Sequence, residues 1–283
     1  MWENRSRMLF LSGVALSALV LIQMGMYLFY TVMGWDLHFN VLQLCKTTIH
    51  SLGFSWAGYL LDALVLYTFG WTVWMTVRQI RLCRRFEEAL LLNLDERQTA
   101  RINGVYRAGK ANVYVVNCRE PLAFTVGLRR SRIVLSTGLL SLLDERELAA
   151  VIHHEAYHEK HADPLKVFFL SLLANVFWYL PVLKHIHSHY KVVRELLADR
   201  HAMEQTGGMA DLGGALLKLL RKRQPASVLQ AAHVSFADTA INYRIQRLLD
   251  PKLDLPLQLP TTSVFLSVCV IFLLSQLFWA SMA

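Results

Sequence analysis

The sequence feature that most constrains the fold is an almost uninterrupted run of apolar residues from Met8 to Met33. At about 1.5 Å per helical residue, a run of this length crosses the roughly 30 Å hydrocarbon core of a membrane. A cleaved signal peptide is the alternative interpretation, but the run is long for one and no small-residue cleavage site follows it. We therefore expect a helix that remains in the membrane.

Two further segments, at about 53–77 and 263–280, have the length and composition of membrane spans. Trp71 and Trp74 lie near the end of the first of these segments, where tryptophan side chains commonly meet the membrane interface. Asp62 lies inside the same segment. An acidic residue at membrane depth is a candidate for function, although Asp62 can equally lie near the outer interface. Hydrophobic residues make up 54% of the chain, which agrees with several spans.

Basic residues predict the orientation of these spans. Arg5 and Arg7 precede the first span, whereas the loop between the first two spans offers only Lys46. A cluster of four arginines follows the second span: Arg78, Arg81, Arg84 and Arg85. Because basic residues near span ends favour the cytoplasmic side, we expect a multi-pass protein of the cell membrane whose middle part faces the cytoplasm. Much of the net charge of +8 then serves topology and lipid contact, and direct nucleic-acid binding is not expected.

The spans predict three parts of the chain. Residues 1–78 hold two transmembrane helices with a short external loop, residues 79–260 form a cytoplasmic domain, and residues 261–283 form a C-terminal transmembrane helix. Within the domain, 111–116 and 132–135 are rich in β-branched residues and predict short strands. A strand edge there could hold an extended peptide, or the sheet could be purely structural. The four cysteines show no paired spacing and predict neither disulfides nor a cysteine zinc site.

The predicted domain contains an H-E-x-x-H pattern in which His154 and His158 flank Glu155. Two histidines four residues apart lie on the same face of a helix, so both imidazoles can reach one metal ion. The glutamate can hold a metal-bound water and take its proton. Short patterns also arise by chance, so the flanking residues decide how much weight this one carries.

The flanking residues predict that the pattern lies on a buried helix face. Asp144 and Glu147 have the spacing of a capping box, and Pro164 stands where a helix ends or kinks. Side chains at helical spacing then form a stripe that includes the motif: Leu148, Val151, Ile152, Glu155, His158 and Ala162. The face with the histidines therefore points into the protein.

A hydrolytic zinc site needs a third protein ligand and an open fourth position. Glu195 and Asp199 are also four residues apart and share a helix face. We expect Glu195 to bind the metal and Asp199 to accept a hydrogen bond from a ligand histidine. Ion pairs with Arg194 and Arg200 on an ordinary helix are the alternative.

Two other histidines compete for the role of metal ligand. His161 lies on nearly the same face as the motif histidines, but three side chains from one helix close poorly around a tetrahedral ion, so Glu195 is preferred. His153 points about 100° away from His154 and is not expected to be a ligand.

The apolar stretch 165–183 resembles a span by hydropathy. One complete crossing would place His158 and Glu195 on opposite sides of the membrane, where they could not share an ion. We therefore expect the stretch to turn back, at Asn175 or Pro181, or to form a buried or interfacial helix.

Groups that could stabilise an oxyanion or bind substrate are expected further along the chain. The candidates are Tyr243, Arg244 and His233. For Arg244 the alternative is a buried ion pair with an acidic residue of the core.

In combination these motifs resemble the integral-membrane zinc peptidases of the BlaR/MecR sensor-transducer family, over about residues 55–250. The motifs are, in chain order, Ala123-Phe124-Thr125-Val126-Gly127, the run from Ser131 to Leu139, Glu147-Leu148, the H-E-x-x-H with Asp163 five residues beyond His158, Phe177-Trp178 before Pro181, Glu195 with Asp199, and Arg244-Ile245 with Arg247-Leu248. The heat-shock and prenyl-protein membrane metallopeptidases share the two metal motifs and are the second choice. The antibiotic sensors of the BlaR/MecR family carry a penicillin-binding domain after their last span. This chain ends at Ala283 after an apolar segment, so neither that domain nor direct β-lactam sensing is expected.

We therefore expect an α-helical integral membrane protein that carries a small α+β, zincin-like metallopeptidase unit of the gluzincin type. The resemblance implies one Zn²⁺ per chain and regulated cleavage of a soluble, repressor-like protein near the lipid bilayer. Quality control of damaged membrane proteins, or a metal-bound sensor or scaffold without proteolysis, are the alternatives. The oligomeric state stays open.

Overall fold

A computed structural model describes residues 2–33, 56–106, 113–222, 241–247, 250 and 258–282. Its helices are α1 (Trp2–Met33), α2 (Trp56–Leu92), α3 (Glu96–Val105), α4 (Thr137–Leu142), α5 (Glu145–Lys160), α6 (Asp163–Val176), α7 (Pro181–Thr206), α8 (Ala210–Lys222), α9 (241–247) and α10 (Thr261–Met282). Its strands are β1 (Val113–Val116), β2 (Ala123–Val126) and β3 (Arg132–Ser136).

The chain divides into two compact units. The first, which we call the sheet unit, comprises Met1–Arg7, Ile80–Phe169 and Ser188–Leu257. The second, the span unit, comprises Met8–Gln79, Leu170–His187 and Gln258–Ala283. The described part of the chain is thus mostly helical, with one small mixed sheet in the first unit.

The sheet has the strand order β1–β3–β2. β1 pairs with β3 in parallel and β2 pairs with β3 in antiparallel orientation. The predicted strands at 132–135 and, within the described residues, 113–116 are confirmed. β2 was not predicted, because four residues that follow Pro121 give too short a pattern for a strand signal. The turn from β2 to β3 uses Gly127 at φ 111°, a left-handed conformation that glycine adopts without strain.

The core of the sheet unit forms where one face of the sheet meets the apolar face of α5. Val113 and Val115 of β1 and Ile133 and Leu135 of β3 are all buried. They belong to one apolar cluster whose other members come from the helices around them: Ile102, Leu139, Leu143, Leu148, Val151, Ile152 and Ala215. The sheet therefore fixes α5 by burial of apolar surface.

The predicted capping box at the start of α5 is confirmed. The Asp144 carboxylate accepts a hydrogen bond of 2.9 Å from the Glu147 backbone N–H, and the Glu147 carboxylate accepts one of 3.0 Å from the Asp144 backbone N–H. These contacts satisfy N–H groups that the first helical turn leaves unpaired. The helix ends at Lys160, where Ala162 takes a positive φ of 50° and α6 begins one residue later. α5 and α6, which both contribute side chains to the site described below, therefore follow each other directly in sequence.

The apolar stretch 165–183 is broken between two helices. α6 ends at Val176, residues 177–180 form a turn, and α7 begins at Pro181, whose missing N–H costs nothing at a first helical position. His158 Nε2 nevertheless lies 3.6 Å from Glu195 Oε1. The stretch therefore turns back, which is one of the two alternatives considered for it, at a point between Asn175 and Pro181.

Among the residues that the structure describes, three helices are long and apolar enough to cross a membrane, over Trp2–Phe29, Tyr59–Leu92 and Thr261–Phe278. Polar side chains pair inside the span unit: Tyr27 donates a hydrogen bond of 2.6 Å to Asp62, and Gln23 donates one of 2.9 Å to Ser275. Asp62 thus has a partner on α1, which accounts for an acidic residue in an apolar segment.

Because the stretch 165–183 turns back, residues before α6 and residues late in α7 should lie on the same side of the membrane. Cysteines introduced at Lys160 and Glu204, both exposed, in a chain without its native cysteines should react with a membrane-impermeant thiol reagent from one and the same side. Reaction from opposite sides would show a complete crossing by 165–183 and exclude a single site built from α5 and α7.

Candidate metal centre

Helix α5 presents its two motif histidines on one buried face. The Nε2 atoms of His154 and His158 lie 3.2 Å apart, and their ring centroids are 4.8 Å apart. His154 is 6% exposed. The four-residue spacing therefore brings both imidazoles to one point, as predicted.

Helix α7 brings a carboxylate to the same point. The oxygens of Glu195 lie 3.6 Å from His154 Nε2 and 3.6 Å from His158 Nε2. One ligand atom from each of these three side chains lies within 4.8 Å of the other two. Within the described part of the chain, this is the group of histidine, cysteine and acidic side chains that could hold a metal ion.

Both histidines use their other ring nitrogen to contact a buried carboxylate. His154 Nδ1 lies 2.9 Å from Asp199 Oδ1, and His158 Nδ1 lies 2.8 Å from Asp163 Oδ2. A carboxylate accepts, so each Nδ1 carries a proton and the two Nε2 atoms face each other. Between two ring nitrogens 3.2 Å apart, a shared proton or a bound metal ion removes the repulsion of their lone pairs. The residues present therefore fit a metal ion.

The ionisation of these groups also reflects a site built for a cation. Burial alone would lower the pKa of His154, but hydrogen bonds to Asp199 and Glu195 outweigh it and raise the pKa to about 10. Burial would raise the pKa of Glu195, yet the His154 hydrogen bond and the charge of Arg244 bring it well below its usual range. The negative potential that holds a proton on His154 is the same potential that attracts a metal ion.

Arg244, on α9, is the ion-pair partner of both α7 acids. It donates to the two oxygens of Asp199 at 2.8 and 2.7 Å, and its Nη1 lies 3.2 Å from Glu195 Oε2. Burial opposes the charge of Arg244, but Asp199 and Glu195 outweigh it and raise its pKa, while the arginine lowers the pKa of Asp199. The core ion pair considered for Arg244 is thus present, and the same side chain also lines the cavity described below.

Sequence analysis did not assign a role to Asp163, which completes the contacts of His158. Its second oxygen lies 2.7 Å from Arg194 Nε, and the Arg194 guanidinium lies 4.7 Å over the ring of Tyr157. Asp163 and Arg194 are 3% and 5% exposed. The available signal was the position of Asp163 five residues after His158, just past the helix end.

Glu155 lies beside the three candidate ligands and is not part of their group. Its carboxylate accepts a hydrogen bond of 2.8 Å from the Thr125 hydroxyl of β2, and it is 7% exposed. The ligands and Glu155 face a cavity of about 370 Å³. Its lining comes from β2, α5, α6, α7 and α9: Ala123, Phe124, Thr125, His154, Glu155, His158, Asp163, Pro164, Val167, Lys191, Arg194, Glu195 and Arg244.

The remaining candidates lie elsewhere. His161 Nδ1 donates a hydrogen bond of 2.8 Å to the Tyr157 carbonyl and is not part of the ligand group, and His153 packs against His201. Tyr243 is half-buried on α9 but is not among the residues that line the cavity. His233 lies outside the described residues.

The fold and the site are those of a membrane protein in which the H-E-x-x-H histidines and a glutamate could hold a metal ion. The profile of one protein family, described as BlaR1 peptidase M56, matches residues 39–248, well over half of the chain. The chain belongs to this family, whose members are membrane peptidases.

Several known proteins are similar to part of this chain. A protease HtpX homologue from Acidiphilium cryptum is 44% identical over 65 residues, which cover 22% of this chain and 23% of the relative. A protease HtpX homologue from Aquifex aeolicus is 26% identical over 125 residues, which cover 44% of this chain and 40% of the relative. The regulatory protein BlaR1 from Bacillus licheniformis is 30% identical over 137 residues, which cover 46% of this chain and 23% of the relative. The chain thus spans 23% to 40% of the length of these relatives.

The geometry predicts that Glu195, and not His161, is the third metal ligand. Glu195→Ala should lower zinc content far more than His161→Ala, because only Glu195 reaches both motif histidines. Elemental analysis of the purified variants after zinc loading and dialysis measures the difference. Loss of zinc in His161→Ala with retention in Glu195→Ala would show that the third ligand is wrongly assigned.

The contact between Asp163 and His158 predicts a second effect on metal binding. Asp163→Ala should weaken zinc binding by about 10–100-fold, since the carboxylate fixes the tautomer and tilt of the imidazole. Competition with a chromogenic chelator measures the affinity, and Glu88→Ala, which removes an exposed acid of the same unit, is the control. Equal affinities of the two variants would contradict the role of Asp163.

Proposed function

We propose that the protein is a zinc-dependent endopeptidase that hydrolyses peptide bonds of a cytoplasmic or inner-face protein. The observation that carries this proposal is the convergence of His154, His158 and Glu195 beside Glu155, a carboxylate that faces the same cavity without joining the ligand group. Three protein ligands with a separate acid–base group are the arrangement that hydrolysis at a zinc site requires.

The chemistry of the ligands favours zinc. Two imidazole nitrogens and one carboxylate oxygen form a ligand set typical of catalytic zinc. When bound, zinc lowers the pKa of water and polarises the scissile carbonyl. Asp163 and Asp199 would hold the two imidazoles in the tautomer that leaves Nε2 unprotonated.

Glu155 is assigned the proton transfers of hydrolysis. Its carboxylate takes a proton from the attacking water while the water oxygen forms a bond to the carbonyl carbon. It then passes this proton to the amine nitrogen as the carbon–nitrogen bond breaks. One water is consumed, a carboxyl and an amine result, and Glu155 returns to its starting state.

The remaining polar groups of the cavity have supporting roles. Of the three candidates for oxyanion or substrate contacts, Arg244 is the best placed, because it lines the cavity. Its bonds to Asp199 and Glu195 also give it the role of holding the third ligand in place.

An extended substrate strand would bind along β2. Among the described strands, β2 pairs with β3 alone and lies at the end of the sheet, so the backbone groups of its other edge can pair with a peptide. Ala123, Phe124 and Thr125 of this strand line the cavity next to the ligands. A peptide paired there would bring its backbone to the metal side.

The target is proposed from the arrangement of charges and from the family. Arg78, Arg81, Arg84 and Arg85 favour the cytoplasm for the sheet unit of a multi-pass protein of the cell membrane. The name of one relative, a regulatory protein, favours cleavage of a repressor-like regulator. The protease HtpX homologues are the observation behind a second candidate, quality control of membrane proteins.

The two candidates differ in what is cut, and Glu155→Gln is the variant that reveals it. This variant should retain zinc, because Glu155 is not a ligand, and should lose hydrolysis by a factor of about 100 or more, because the proton acceptor is gone. Zinc content and cleavage of casein by the purified protein measure both properties. Comparison of cellular protein fragments with active and Glu155→Gln protein then maps the sites.

One or two sites in a single soluble protein would support regulated cleavage. Scattered sites in many membrane proteins would support quality control. Full activity of Glu155→Gln would remove Glu155 from its role, and fragments that are the same with both proteins would favour a scaffold without proteolysis.

A further inference from the structure

The Thr125 hydroxyl lies between two oxygen atoms of the proposed base. Its Oγ1 is 2.8 Å from the Glu155 carboxylate oxygen Oε2 and 3.0 Å from the Glu155 backbone oxygen. Both distances are those of good hydrogen bonds, and both acceptors belong to the same residue. Thr125 is half-buried and lines the cavity.

We infer that Thr125 is a positioning residue that holds the Glu155 carboxylate for proton transfer. The inference rests on the proposed peptidase function and adds to it a residue of the sheet. A hydroxyl carries a single proton, so it donates to one of the two oxygens at a time. The charged carboxylate is the stronger acceptor and is also the nearer one, so the proton goes to Oε2 while Glu155 is ionised.

This contact selects which carboxylate oxygen does the chemistry. A glutamate side chain has several rotatable bonds, and its fixed backbone position next to His154 does not by itself aim the carboxylate. With Oε2 tied to Thr125, Oε1 is the oxygen left to receive the proton of the water. The carboxylate is then oriented before the substrate arrives, which is where positioning contributes most to rate.

The second acceptor keeps the hydroxyl bonded throughout the reaction. Once Glu155 carries the transferred proton, Oε2 becomes a weaker acceptor, and the Thr125 hydroxyl can donate to the backbone oxygen of the same residue instead. The two-acceptor arrangement therefore keeps this hydroxyl hydrogen-bonded within the protein at the intermediate stage.

The position of Thr125 in the fold makes the contact rigid. Thr125 pairs with Ile133 of β3, which is fully buried, and its neighbour Phe124 packs its ring 5.6 Å from that of Phe86 on α2. Successive side chains of a strand point to opposite faces, so this packing commits Thr125 to the α5 side. The strand proposed to bind the substrate thus also holds the base.

A purely structural role, in which Thr125 only ties β2 to the backbone of α5, gives different results from the inferred one. The test compares Thr125→Val, which keeps the branched shape and removes the hydroxyl, with Thr125→Ser, which keeps the hydroxyl. Thr137→Val is the matched control, because the Thr137 hydroxyl bonds the backbone of Cys118, outside the cavity. All are full-length, zinc-loaded proteins in detergent, assayed with internally quenched casein.

For Thr125→Val, kcat should fall about tenfold, the equivalent of one hydrogen bond to a charged group, with KM and zinc content within about twofold of the unsubstituted protein. Thr125→Ser should recover kcat to within about threefold, and Thr137→Val should leave it unchanged. Unchanged kcat in Thr125→Val would overturn the inference and leave the proposed function intact. Absence of cleavage by the unsubstituted zinc-loaded protein would instead overturn the proposed function.

A second measurement does not depend on activity. The thermal unfolding midpoints of the metal-free unsubstituted protein, Thr125→Val, Glu155→Ala and the double variant together form a double-mutant cycle. A contact with the carboxylate predicts that the double variant loses less than the sum of the two single shifts. A contact with the backbone oxygen alone survives in Glu155→Ala, so strictly additive shifts would overturn the inference.

Discussion

The site depends on two hydrogen bonds, from His154 Nδ1 to Asp199 and from His158 Nδ1 to Asp163. They set the tautomer and tilt of both imidazoles, so that both Nε2 atoms point to one place. The two histidines share α5, but the two carboxylates come from α7 and the first turn of α6. The geometry of the candidate ligands therefore exists only when these three helices are packed together, which would couple metal binding to the fold.

The balance of buried charge explains why the same residues need one another. Asp163, Glu195 and Asp199 carry three negative charges close to the site, and Arg194 and Arg244 carry two positive ones. A buried carboxylate without a partner is costly, and each of these acids has an arginine within ion-pair distance. With Glu155, which lines the same cavity, four carboxylates face two arginines, and a divalent cation would balance the two negative charges that remain. The arginines thus stabilise the acids without taking the place of the metal.

The small sheet contributes to the site in two ways. Its buried face, through Ile133 and Leu135, packs against the apolar side of α5 and fixes the helix that carries the motif. Its end strand β2 lines the cavity and contacts the Glu155 carboxylate through Thr125. A substrate strand added to β2 would then be aligned by the same element that orients Glu155, which links binding to chemistry.

The sequence by itself determined the elements whose signal is local. The apolar runs predicted helices that can span a membrane, the capping box predicted the start of α5, and the four-residue spacings placed His154 with His158 and Glu195 with Asp199. Only the tertiary structure decided what depends on contacts between distant segments. It added β2, whose four residues give no periodic signal, and paired Asp163 with His158 across a helix end. It also placed Arg244 on Asp199 and Thr125 on Glu155, because no spacing in a sequence specifies which residues meet when separate helices and strands pack.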